Sequence, residues 1–113
     1  KRPLYYLPAN SGKVTTLSGD LKSVGGFHKT KRVFTMQELT IQKDDSIYLT
    51  TDGYIDQHSP TREKFGSVRF IKMLEENENK TMEMQKRSLE VALETHQATM
   101  EQRDDITIIG IRF

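Results

Sequence analysis

The sequence predicts an α+β domain: an antiparallel β-sheet with two helices packed on one face. Three observations carry this. The first half breaks into short apolar runs separated by turn-forming residues. The second half switches to a helical period, and the final residues return to a β-branched apolar run. At 113 residues the chain suits one domain with a modest core.

The elements follow in order. Leu4, Tyr5, Tyr6 and Leu7 form the first strand. Residues 13–17 form the second, and the five-residue gap between them, which contains Pro8, Asn10 and Gly12, predicts a hairpin. Residues 32–41 are a third expected strand, with Val33, Phe34, Met36, Leu39 and Ile41 apolar. Residues 46–51 are a fourth, with Ile47 and Leu49 on one face and Tyr48 on the other. Residues 67–76 carry a wide helical stripe of Val68, Phe70, Ile71, Met73 and Leu74. A longer helix is expected over 81–100, with Met82, Leu89, Ala92, Leu93, His96 and Met100 on its buried face. Thr81 is its expected N-cap, and Glu83 sits in the first turn, at the positive end of the helix dipole. Gln102, Arg103, Asp104 and Asp105 break that helix. Residues 106–113 close the chain as a strand, apolar on both faces at its start and so expected at the centre of the sheet.

Composition excludes several functions. Without Cys there is no disulfide scaffold, thiolate zinc site or cysteine nucleophile. Without Trp, and with 8% aromatic residues, the chain is a poor nucleic-acid platform. Its 17 basic and 16 acidic residues leave a net charge of +1, which implies no polyanion partner. Residues 1–45 hold 8 basic and 4 acidic side chains and residues 46–113 hold 9 and 12, an imbalance that reads as solvated surface. No apolar run approaches the ~20 residues that span a bilayer, so no membrane contact is expected from this segment.

Individual polar residues are mostly uninformative. His28, His58 and His96 form no pair at metal-ligand spacing. Ser46, Ser59 and Ser67 have no neighbouring base that would make a nucleophile. The basic run Lys29-Thr30-Lys31-Arg32 reads as a solvated loop. Met73, Met82 and Met100 read as adaptable core filler.

The carboxylates are more telling. Asp52 follows the fourth strand, so it lies at that strand's C-terminal end, and Asp56 follows four residues later. Asp104 and Asp105 precede the last strand. If these strands are antiparallel neighbours, both ends fall on one edge, about 4.8 Å apart. Converging carboxylates repel each other, and a divalent cation removes that cost. All-oxygen ligation suits Mg²⁺ or Mn²⁺. Gly53 fits a sharp turn at the rim. Taken singly, Asp52-Gly53 reads as a turn and Asp104 as a loop residue or cap; only the pair points to a cation.

The same residues carry a family resemblance. The stretch Asp44-Asp45-Ser46-Ile47-Tyr48-Leu49-Thr50-Thr51-Asp52-Gly53 resembles the "GD…TDG" segment of bacterial PPM-type phosphatases of the SpoIIE-like branch, related to protein phosphatase 2C. Arg103-Asp104-Asp105-Ile106-Thr107 resembles the family's closing "RDD-[IM]-T" segment. Lys64-Phe65-Gly66-Ser67-Val68-Arg69 resembles its "FG-x-x-R" helix start, Val24-Gly25-Gly26-Phe27 its glycine segment, and the first strand the one after its "AGHN" loop. Asp56-Gln57 and the long helix are most similar to the RsbU-like and SiaA-like branches.

The resemblance implies an α/β/β/α sandwich with two Mn²⁺ or Mg²⁺ ions at one edge. It implies hydrolysis of phosphoserine or phosphothreonine by attack of a metal-bound hydroxide. Matched by motif, Asp52 and Asp104 are the metal ligands, with Gly53, Asp56 and Asp105 beside them. The family's other acidic segments, among them a "D-x-x-G-H-G"-like loop, have no counterpart here. Residues 1–113 are therefore expected to be the C-terminal portion of such a domain, without its N-terminal portion, carrying half a metal site and inactive alone by that count. The start at Lys1, without Met, agrees with that expectation. The implied partners are a phosphorylated regulatory protein, such as a STAS-like anti-sigma-factor antagonist, and an upstream sensor or receiver domain. The implied setting is signal transduction in the cytoplasm, or on the cytoplasmic side if the parent protein is membrane-anchored. The alternative is a non-catalytic partner-binding module derived from the same fold. Residues 57–64 directly follow the acidic motif and are expected to gate substrate.

Overall fold

The computed structural model describes residues 2–21, 31 and 33–113. It contains strands β1 (Leu4–Leu7), β2 (Thr15–Leu17) and β3 (Ser46–Thr50), helices α1 (Gly53–Asp56), α2 (Ser67–Glu76) and α3 (Met82–Gln97), and strand β4 (Ile108–Arg112). The four strands form one antiparallel sheet in the order β2-β1-β3-β4. The expected hairpin is present, with Leu4 opposite Leu17.

The pleat sorts the side chains. Tyr5 and Tyr48 are cross-strand partners, and Tyr48 in turn faces Gly110. This face carries the core, in which Tyr5, Leu7 and Tyr48 pack with Tyr54, Phe65, Phe70, Leu74 and Leu89. Phe70 is fully buried at 0% exposure, which fixes the inward face of α2. Its ring meets Tyr5 edge-on at 5.5 Å and Tyr54 at 5.4 Å, and Tyr54 meets Phe65 at 4.8 Å. Tilted and edge-on contacts like these let ring edges meet ring faces.

The buried phenols are satisfied. Tyr48 donates to Gln85 Oε1 at 2.7 Å, and Tyr54 donates to the Leu89 carbonyl at 2.7 Å. Both bonds fasten α3 to the elements beneath it. Burial pushes the Tyr54 phenol up to about 12, opposed by the Arg69 charge. A side chain at Gly110 would crowd the Tyr48 ring, because a Cβ there lies 3.1 Å from two ring carbons and 3.2 Å from Met82 Sδ. The glycine lets the tyrosine lie across β4.

The face that no helix covers among the described residues is also apolar. One cross-strand row runs Leu17, Leu4, Leu49, Ile109, and the next runs Thr15, Tyr6, Ile47, Ile111. Leu49, Ile109 and Ile111 are 41%, 50% and 42% exposed.

Helix α2 has the predicted bounds. Thr81 caps α3, accepting from the Met84 N–H at 3.2 Å, with Glu83 in the first turn. Helix α3 ends at Gln97, where Ala98 turns into the left-handed region at φ 49°.

Two strand expectations fail. Residues 33–41 contain no strand, and Val33, Phe34 and Met36 are exposed. Their apolar positions never settle into alternation, so no single face emerges to pair. The segment is held instead by Thr35 N–H to Asp20 Oδ2 at 2.6 Å and by Gln37 Nε2 to the Ser18 carbonyl at 2.8 Å. Arg32, the glycine segment 24–27, His28 and most of the basic run lie outside the described residues. The last strand, expected at the centre, lies at the edge among the described residues. Its apolarity on both faces reflects the core beneath Ile108 and the apolar rows around Ile109, not pairing along both edges.

Asp45 anchors the entry to β3. It accepts from the Tyr6 hydroxyl at 2.6 Å and from the N–H groups of Ala9 and Gln42, both at 2.8 Å. These bonds, led by that from Tyr6, hold its carboxyl below the usual value. A depressed native pKa contributes stability that is present above the unfolded-state pKa, near 4, and lost as pH falls through the native one. Asp45→Asn is expected to be less stable at neutral pH and to lose less stability on acidification, by denaturant titration at several pH values. Parallel acid profiles would refute this.

Candidate functional site

The site grows from the pairing of β3 with β4. That ladder continues past both strand ends. The Thr51 N–H donates to the Thr107 carbonyl at 3.0 Å, and the Thr107 N–H donates back to Thr51 Oγ1 at 3.0 Å. The Thr51 hydroxyl donates to the Asp105 carbonyl at 2.9 Å. The two acidic segments are thus joined at one sheet edge, as the antiparallel argument requires.

Gly53 is needed there, although not for a sharp turn. It opens α1, and no positive φ is involved. A Cβ at this position would lie 2.3 Å from the Asp105 carbonyl oxygen. The requirement is close approach of two backbones.

Asp52 occupies the N-cap position of α1 but makes no side-chain cap bond. Its carbonyl accepts from the Asp56 N–H at 2.8 Å. Its carboxylate pairs with Arg2 at 2.6 Å, the two side chains 42% and 49% exposed respectively. At such exposure the pair contributes at most about 1 kcal/mol, so a cation can displace it readily. Asp104 accepts from the Asp105 N–H through Oδ1 at 2.7 Å. Asp56 is turned to Lys64 at 3.1 Å. Asp105 contributes its carbonyl to Thr51, as described.

Asp52 and Asp104 offer hard oxygen donors on adjoining segments, which fits a divalent cation in kind. In number they fall short. Among the described residues no group of three or more His, Cys, Asp or Glu is placed to hold a metal.

The segment after α1 is a tight hairpin. His58 and Lys64 form an isolated bridge, Ser59 N–H donates to the Glu63 carbonyl at 2.9 Å, and Arg62 N–H donates to the Ser59 carbonyl at 2.8 Å. These bonds shape the segment expected to gate substrate, residues 57–64, as a hairpin beside Asp56. Two further residues support the site in ways that were not legible, although Gln57 stands in the Asp56-Gln57 motif and in the 57–64 segment. Gln57 is buried beneath the acidic segments, and His96 bonds the Gln57 carbonyl through Nε2 at 2.9 Å. A polar residue at the end of a four-residue helix carries no sequence signal of burial; His96, on the apolar stripe of α3, carried a weak one.

Comparison with known proteins now defines the class. The structure matches the SiaA-PP2C domain of Pseudomonas aeruginosa with a TM-score of 0.84 and 30% identity, over 100% of this chain and 43% of that one. The fold is that of a PP2C-like phosphatase domain, a kind that generally uses divalent metals. Residues 2–113 match the family model for stage II sporulation protein E, and the chain belongs to the SpoIIE family. It spans less than half of the domain structure it matches. No curated protein matches it.

Gly53→Ala tests the close approach. Helix propensity alone favours alanine by about 1 kcal/mol. The backbone clash reverses the sign, and a net destabilisation of about 1–3 kcal/mol is expected. Thermal unfolding measures it, together with faster amide exchange at Thr107.

Proposed function

We propose that residues 1–113 are the C-terminal portion of a SpoIIE-like domain that hydrolyses phosphoserine or phosphothreonine on a protein. The junction of the Thr51-Asp52-Gly53 and Arg103-Asp104-Asp105 segments carries this reading. It joins two family motifs through backbone and hydroxyl bonds at one edge of the sheet.

Asp52 and Asp104 would hold Mn²⁺ or Mg²⁺, with the remaining donors supplied by the rest of the domain. The bound cations supply an activated water and neutralise charge on the phosphoryl group. Thr51, Gly53 and Asp105 keep the two ligand segments in register, and Asp56 with Lys64 borders them. The apolar rows of the sheet support the domain reading, because an apolar sheet face left uncovered by the described residues calls for a second layer. A second sheet from the missing portion meets that need and makes the α/β/β/α sandwich.

The substrate in this proposal is a small phosphorylated regulatory protein, with a STAS-like anti-sigma-factor antagonist as the leading class. An upstream sensor or receiver domain controls the enzyme within a cytoplasmic signalling pathway. No helix among the described residues is long and apolar enough to cross a membrane.

In the complete domain, Asp52→Asn and Asp104→Asn are each expected to lower Mn²⁺-dependent phosphopeptide hydrolysis by about a hundredfold or more. Phosphate release measures this. Full activity in both variants would sink the ligand assignment. Partner binding by a wild-type domain with no hydrolysis would instead favour a non-catalytic module.

A further inference from the structure

A single side chain ties the acidic segments from a second direction. Gln57 is the C-cap of α1 and is 1% exposed. Its Nε2 donates to the Glu101 carbonyl at 2.9 Å and to the His58 carbonyl at 3.3 Å. Its Oε1 accepts from the Arg103 N–H at 3.3 Å. Its main-chain carbonyl accepts from the Phe65 N–H at 3.0 Å and from His96 Nε2 at 2.9 Å. Its own N–H reaches the Tyr54 carbonyl at 3.4 Å.

Every polar group of this buried residue is therefore engaged. Its partners lie in α1, in the 58–64 hairpin, in α3 and in the segment before Asp104. His96 is itself held, with Arg69 Nη1 3.1 Å from Nδ1. A neutral ring with its proton on Nε2 satisfies both neighbours.

The consequence falls on Asp104. Residues 101–103 have no secondary structure of their own. Gln57 fixes this stretch through Glu101 and Arg103, on the N-terminal side of Asp104. Thr51 fixes Asp105 and Thr107 on the C-terminal side. The Asp104 backbone is clamped between the two ties. A buried amide defines position better than apolar packing does, because displacement leaves its own donor and acceptor unpaired in the interior.

We propose that Gln57 is a positioning residue for the candidate metal centre. It holds Asp104 in place relative to Asp52 and so sets the affinity for the divalent cation. The inference rests on the phosphatase reading above. Gln57 does not touch the cation; it acts through the Glu101 and Arg103 backbone.

The test uses the complete domain and Gln57→Met, which keeps the unbranched shape and removes all three side-chain amide bonds. Calorimetric titration with Mn²⁺ is expected to show affinity weakened about tenfold. In the metal-free protein, hydrogen exchange at the Arg103 amide is expected to accelerate. Leu74→Ala, a core change remote from the loop, gives the comparison: it lowers the melting temperature while leaving Mn²⁺ affinity unchanged. If Gln57→Met fails to fold, Gln57→Asn, one methylene short of its partners, must still weaken Mn²⁺ binding. Wild-type affinity in whichever variant folds overturns the positioning role alone. A wild-type domain that takes up no Mn²⁺ overturns the phosphatase reading and this inference with it.

Discussion

The antiparallel pairing of β3 with β4 is the constraint on which the rest of the molecule depends. It brings together segments far apart in sequence and aligns Thr50 with Ile108, so that the residues just beyond each strand meet. The closest relations at the site are local to that junction. Thr51 extends the ladder with its hydroxyl, and Gly53 lets the Asp105 backbone come close. A slip of one residue would turn Tyr48 away from the core and move Asp52 off the edge together. Register therefore serves packing and chemistry at once.

The helices make that register permanent. Tyr48 and Tyr54 each place an aromatic ring in the core and a hydroxyl on α3. Phe70 joins α2 to β1 and α1 through its contacts with Tyr5 and Tyr54. Removing water from these rings drives association, and the phenolic bonds choose one rotation of α3 over its neighbours. Asp45 performs a similar office at the far end of β3, where three donors converge on one carboxylate. The strand is pinned at its beginning by charge and at its end by hydroxyl bonds.

Much of this was readable from residue order. Helix α2 was legible to its bounds because its apolar stripe is wide and Phe70 and Leu74 both point inward. Thr81 was legible as a cap because a hydroxyl before a helical run has one favoured use. The Asp52 and Asp104 segments were legible as neighbours because antiparallel strands put the end of one beside the start of the other. Residues 33–41 misled because apolar content without alternation resembles a strand only in composition. Helix α1 stayed hidden because four residues that begin at Gly53 look like a turn. Gln57 stayed hidden for a different reason. Its value lies in partners from four separate stretches, and no local pattern records such a convergence.

The contact between Gly53 and Asp105 bears on how this protein can vary. The atom that a new Cβ would strike is a main-chain oxygen, present whatever residue stands at 105. No substitution at 105 would make room for a larger residue at 53. Crowding between two side chains can be relieved by changing either one, and such pairs drift together over generations. Crowding against a peptide group offers no second move. Position 53 should then stand fixed among relatives that keep this junction, with no partner whose changes track it.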